Sequence, residues 1–108
     1  MPKQPDFGAI LQQAQQMQAE MLKAQEDLKN EVVEATVGGG MVAVKMTGDM
    51  ELKEIRIDPE AVDPDDVDML QDMVLAAVNE VIRAAQELAS SKMNQAAGGL
   101  GGLGLPGL

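Results

Sequence analysis

The chain has 108 residues, a formal net charge of −10, one aromatic residue, and neither cysteine nor histidine. The length fits one small domain, and the absences exclude disulfides, thiolate or imidazole metal sites, and any catalytic triad built on a histidine base. With Phe7 as the only aromatic, the core must come from Val, Ile, Leu, Met and Ala, and so thin a core favours oligomerisation.

The acidity is local. Residues 58–72 carry seven acids and no base, and residues 20–40 carry five acids against two lysines. The segments 1–19, 41–57 and 73–108 are each neutral. Much of the chain can therefore approach a polyanion without strong repulsion, although no basic cluster is present to attract one. No apolar run approaches the ~18 residues of a membrane span. The opening MPKQPDFG lacks the apolar core of a signal peptide, so the expected compartment is the cytosol.

Residues 7–31 read as one long helix. Ile10, Ala14, Met17, Met21, Ala24 and Leu28 recur at spacings of four and three, an a/d seam fit for a core or a dimer contact. At ~1.5 Å per residue such a helix is a rod of ~35 Å, longer than a small sheet can cover. Part of it should project and need a partner. Gln12, Gln13, Gln15, Gln16, Gln18 and Gln25 crowd this helix. Glutamine can hydrogen-bond phosphates or read adenine in a groove. It is also simply a good helix former on a solvated face. The methionines on the seam fit core filling better than a promiscuous groove.

Residues 32–57 change period. Val33, Ala35 and Val37 alternate with Glu34 and Thr36, and Val42, Val44 and Met46 alternate with Ala43, Lys45 and Thr47. Gly38-Gly39-Gly40 separates the two runs, and Thr47-Gly48-Asp49 follows the second. This predicts a three-stranded antiparallel meander with glycine-bearing hairpin turns. The triple glycine lies between strands, whereas a phosphate-cradling loop would open a helix. In the third strand Met50 and Leu52 fall on even positions but Ile55 and Ile57 on odd ones. A bulge near Lys53-Glu54 would return both pairs to one face.

The next stretch is acidic and punctuated by proline. Asp63 is placed as an N-cap, Pro64 at the first helical position, and Asp65 and Asp66 in the first turn, where the dipole favours negative charge. A calcium loop would need a central glycine and a distal glutamate, which are missing, so capping accounts for these acids. A helix over 64–93 follows, with Val67, Leu70, Val74, Ala77, Val78, Val81, Ala85 and Leu88 on one stripe. Residues 94–108 are rich in glycine and read as a flexible tail, although their spaced leucines also suit docking to another protein. The order α-β-β-β-α, with both helices on one sheet face, predicts a two-layer α+β domain over 1–93. Thr36, Thr47, Ser90 and Ser91 have no base near them in any motif. No catalytic residue, metal ligand or cofactor site is assigned.

Four segments resemble the YbaB/EbfC family of bacterial nucleoid-associated proteins, over nearly the whole chain. They are QAQQMQ at Gln13–Gln18, the strand segment Gly38–Glu60 with its IDP ending, DMLQDMVLAAVNE at Asp68–Glu80, and the LPG of Leu105–Gly107. The resemblance implies a cytoplasmic, nucleoid-bound homodimer whose helices project like tweezer arms. It also implies binding to double-stranded DNA, with effects on DNA conformation and gene expression, and no catalytic site. On this reading Lys3, Lys23 and Lys29, doubled in a dimer, contact phosphates. Gln12 and Gln16 add hydrogen bonds to groove or backbone. Lys45, Lys53 and Arg56 form a second candidate surface. The alternative is a protein-interaction adaptor or holdase that grips its partner with the arms and does not bind DNA.

Overall fold

The computed structural model describes residues 7–101. Helix α1 spans Phe7–Asn30, strands β1, β2 and β3 span Val32–Val37, Val42–Thr47 and Leu52–Ile57, and helix α2 spans Val67–Gly101. The α-β-β-β-α order and the α+β class are those read from the sequence.

The sheet is antiparallel with β2 in the centre. Val33 pairs with Met46, Ala35 with Val44 and Val37 with Val42, so the alternating apolar residues share one face. The β1–β2 turn places Gly38, Gly39 and Gly40 at φ of +62°, +67° and +96°, a run that only glycine adopts without strain. The register between β2 and β3 steps from Lys45–Glu54 to Met46–Leu52, which leaves Lys53 as the extra residue of the expected bulge. Met50 does not belong to β3. It sits in the preceding turn at φ +74°, where Thr47 is buried and its hydroxyl donates to the Asp49 carboxylate and accepts from Glu51 N.

The same turn closes α1. The Gly48 amide donates to Leu28 O at 2.9 Å and to Glu31 O at 3.0 Å, satisfying carbonyls that a helix end leaves free. After β3, Asp58 and Pro59 begin a short 3-10 turn over Pro59–Ala61, with the Asp58 carboxylate accepting from Glu60 N at 2.9 Å.

Two expectations for α2 are corrected. The helix begins at Val67, capped by Asp66, whose carboxylate accepts from Met69 N at 3.2 Å. Asp63 instead accepts from Asp65 N, and Asp66 N donates to Asp63 O, so residues 63–66 form a β-turn. Pro64 fits the second position of that turn as well as it fits a helix start, and the turn prevails. At its other end α2 continues to Gly101 rather than stopping at 93. Met93–Ala97 are mostly good helix formers, and Gln95 and Ala96 face α1 across a cleft also lined by Glu20, Lys23, Ala24 and Asp27. The rest of the predicted tail, 102–108, lies outside the described residues.

The core is one sheet-on-helix seam. Val42, Val44 and Met46 of β2 bury against Ala77, Val81 and Ala85 of α2, flanked by Val33, Ala35, Leu70, Val74 and Ile82. The small alanines let α2 lie close to the strands. Only α2 crosses the sheet, over β1 and β2. This departs from the expected layer of two helices. Helix α1 meets β2 at its end, where Leu28 touches Gly48, and otherwise packs antiparallel on the second half of α2. The result is a rod of 83 × 27 × 16 Å with a radius of gyration of 21.3 Å. A compact chain of this length would have about 13 Å.

Candidate nucleic-acid interface

The projecting part is the first half of α1. Every residue from Phe7 to Glu20 is exposed, Met21 is half-buried, and Ala24 and Leu28 are buried. The seam proposed from spacing therefore has two fates. At its root it is core, and at Ile10, Ala14 and Met17 it is uncovered. Periodicity identifies an apolar face but not what covers it.

The opposite side of the arm is polar. Gln12, Gln16 and Lys23, spaced by four and seven, stack along one line and are all exposed. Lys29 stands about 120° around the helix from that line. It faces Glu26 at 3.8 Å. The structure thus brings together three of the predicted contact residues and separates Lys29 from them; Lys3 lies outside the described residues.

Ion pairing removes most of the other cations from consideration. Lys45 faces Glu54 at 3.5 Å, Arg56 faces Glu34 at 3.5 Å, and Lys53 faces Glu51 at 3.4 Å. The candidate surface on the open face of the sheet is therefore a ladder of alternating charge with little net field. Arg83 pairs with Glu80 at 3.0 Å and Lys92 with Glu31 at 2.6 Å. Among the described residues Lys23 is the one cation without an ion pair. The pairing of Lys45 and Arg56 was hidden in the sequence because it depends on strand register. Once β2 is set against β1 and β3, Glu34, Lys45 and Glu54 fall in one row.

Charge is also segregated along the rod. Asp66 opens α2 and Gly101 ends it, ~50 Å away at 1.5 Å per residue. The acids of 58–72 cluster at the first end. The arm projects beyond the second, and from Phe7 to Ala19 it carries no charged residue. A polyanion meets least repulsion there.

Lys92 ties α1 to α2. Its hydrogen bond to the Glu31 carboxylate holds the ammonium above the usual lysine range, against partial desolvation, and the charges of Glu31 and Asp27 add to the effect. A raised lysine pKa stabilises the fold fully below the unfolded value, and the contribution is lost as pH rises through the folded one. Thermal melts of the native chain and Lys92→Met should therefore differ by a constant amount from about neutral pH to about pH 10 and converge above it. A difference that persists at higher pH would mean that Lys92 acts through packing of its stem.

One feature had no clear sequence signal. Leu52, Ile55 and Ile57 of β3 point to the helix-bearing face, opposite Met46, Val44 and Val42, yet all three are exposed because α2 covers β1 and β2 instead. Between β3 and α2 runs an apolar groove of about 450 Å³, lined by Ile57, Leu70, Gln71, Val74, Leu75 and Val78. Leu75 is 60% exposed. Among the described residues no side-chain cluster could hold a metal, and no helix is long and apolar enough to cross a membrane.

Comparison with known proteins places this geometry. The chain is 57% identical over 103 residues to a protein of Ruminiclostridium cellulolyticum named "Nucleoid-associated protein", covering 95% of this chain and 88% of the relative. A protein of the same name from Acetivibrio thermocellus is 52% identical over 108 residues, covering 96% and 94%. A crystal structure of an uncharacterized Helicobacter pylori protein superposes with a TM-score of 0.60 at 28% identity, over 69% of this chain and 87% of that one. The YbaB/EbfC DNA-binding family matches residues 3–100. The chain belongs to the YbaB/EbfC DNA-binding family.

Proposed function

We propose that this protein binds double-stranded DNA as a homodimer in the nucleoid, gripping the duplex with its α1 arms. The observation that carries the reading is the projecting arm, uncharged from Phe7 to Ala19, whose Gln12–Gln16 line is continued at the arm's root by Lys23, in a chain whose family is named for DNA binding. Lys23 supplies a phosphate contact, and the glutamine amides donate to phosphate oxygens or base edges. The apolar step at Leu52, Ile55, Ile57 and Leu75 supports a second copy as the dimer partner, which doubles the arms. Two arms on one duplex constrain its path, which is how such a dimer changes DNA conformation and gene expression. No step of this function is catalytic.

The cations are few, so the salt dependence should be shallow. Fluorescence anisotropy of a labelled duplex should show saturable binding with a log–log salt slope between about −2 and −5. The double variant Lys23→Glu, Lys29→Glu should bind about tenfold more weakly with unchanged helicity by circular dichroism. Equal affinity would remove the arm from the interface. Absence of binding at low salt would leave the adaptor reading, which the paired state of the other described cations favours. Partners retained on the protein from nuclease-treated lysate would then support it.

A further inference from the structure

The α1 seam is half covered, and the cover is α2. Contacts pair Glu31 with Lys92 and bring Ala24 and Lys23 to the cleft that Gln95 and Ala96 also line, so the helices run antiparallel. At equal rise, α2 ends at Gly101 opposite about residue 19 of α1. Exposure changes at the same level, with Met21 half-buried and Met17 exposed. Beyond that point the same seam continues through Met17, Ala14 and Ile10 to Phe7, all exposed. The chain continues too. Residues 102–108 read GLGLPGL, and they follow directly on Gly101, where α2 ends at the level at which the seam loses its cover.

We propose that residues 102–108 dock on the exposed α1 seam, with Leu103, Leu105 and Leu108 replacing α2 as its cover. The lengths agree. From Met17 to Phe7 the seam spans ~15 Å, and seven residues reach up to ~23 Å when extended. The attachment is covalent and begins at the edge of the gap, so the tail acts at a high effective concentration that a separate chain does not have. Glycines between the leucines let the backbone lie close to the helix, and Pro106 keeps the segment from prolonging α2. The seam lies opposite the Gln12–Gln16–Lys23 line, so the docked tail leaves the proposed nucleic-acid face open. The inference is therefore independent of DNA binding.

The chain has no cysteine, so introduced pairs report proximity without background. In the full-length protein, Ala14→Cys with Leu105→Cys should close an intrachain disulfide under mild oxidation at least tenfold faster than Ala19→Cys with Leu105→Cys, since Ala19 lies on the far side of the helix. Equal rates would overturn the proposal. So would faster formation of a covalent dimer by Ala14→Cys alone, which would assign the seam to a second copy's arm. In parallel, changing Leu103, Leu105 and Leu108 to Ser should accelerate amide exchange over residues 11–18 about tenfold. Unchanged exchange would show that the leucines do not cover the seam.

Discussion

Ile57→Asp should dissociate the proposed dimer, raising its dissociation constant by about two to three orders of magnitude. Ile57 lies on the helix-bearing face of β3 but is 37% exposed in the single chain, so the substitution costs the isolated fold little. In a dimer that buries the step with Leu52, Ile55 and Leu75, the same carboxylate would be desolvated without a partner. An unpaired buried charge costs several kcal/mol, and each 1.4 kcal/mol is a factor of ten in affinity. Sedimentation equilibrium should show monomers at micromolar concentration, with an unchanged far-UV spectrum. DNA affinity should fall by about 30-fold or more, because one arm no longer holds the duplex while the other rebinds. A variant that remains dimeric would move the self-contact elsewhere, with the arm seam the next surface to test.

Gly48→Val should destabilise the folded chain by about 2–4 kcal/mol, the upper range for an overpacked site. A Cβ built at Gly48 would stand 2.6 Å from Leu28 Cδ2, 3.0 Å from Leu28 O and 3.2 Å from Leu28 Cβ. Leu28 is itself 5% exposed, and its carbonyl is one of the two that the Gly48 amide caps, so neither partner can retreat cheaply. Any accommodation lifts α1 from the β2–β3 turn. Urea denaturation should show a lower midpoint, and amide protection should fall most over residues 24–31. If the loss were instead uniform along α2, the turn would not be the site at which α1 is anchored.

The strands were legible in the sequence because alternation has a period of two and the glycines mark its breaks. Even the irregular third strand declared its bulge, since the parity of its apolar residues changes between Leu52 and Ile55. The caps were less legible. Asp58-Pro59 and Asp63-Pro64 satisfy the same local preferences, yet one opens a 3-10 turn and the other a β-turn before the helix. Local chemistry leaves those outcomes nearly equal, and chain geometry selects between them. The end of α2 was misplaced for a related reason. Gly98 and Gly99 are poor helix residues, but the helix enters them already nucleated and packed against α1. The candidate site was legible as a list and not as a surface. Gln12, Gln16 and Lys23 fall in line by helical arithmetic, while the neutralisation of Lys45 and Arg56 appears only with strand register.

The uncovered first half of α1 behaves as a helix–coil system with one end fixed. An isolated helix of ~14 residues is marginal in water, because it must nucleate its first turn alone. Here the buried root at Ala24 and Leu28 supplies that nucleus, and only propagation remains. Propagation depends on intrinsic preference, and Ala, Gln, Met, Leu and Glu dominate from Ala9 to Glu20, with Ile10 as the sole β-branched residue. The reach of the arm is accordingly a thermal average. Cooling lengthens it, warming frays it from Phe7 inward, and a ligand or covering segment along the arm extends it by stabilising turns that are already nearly balanced.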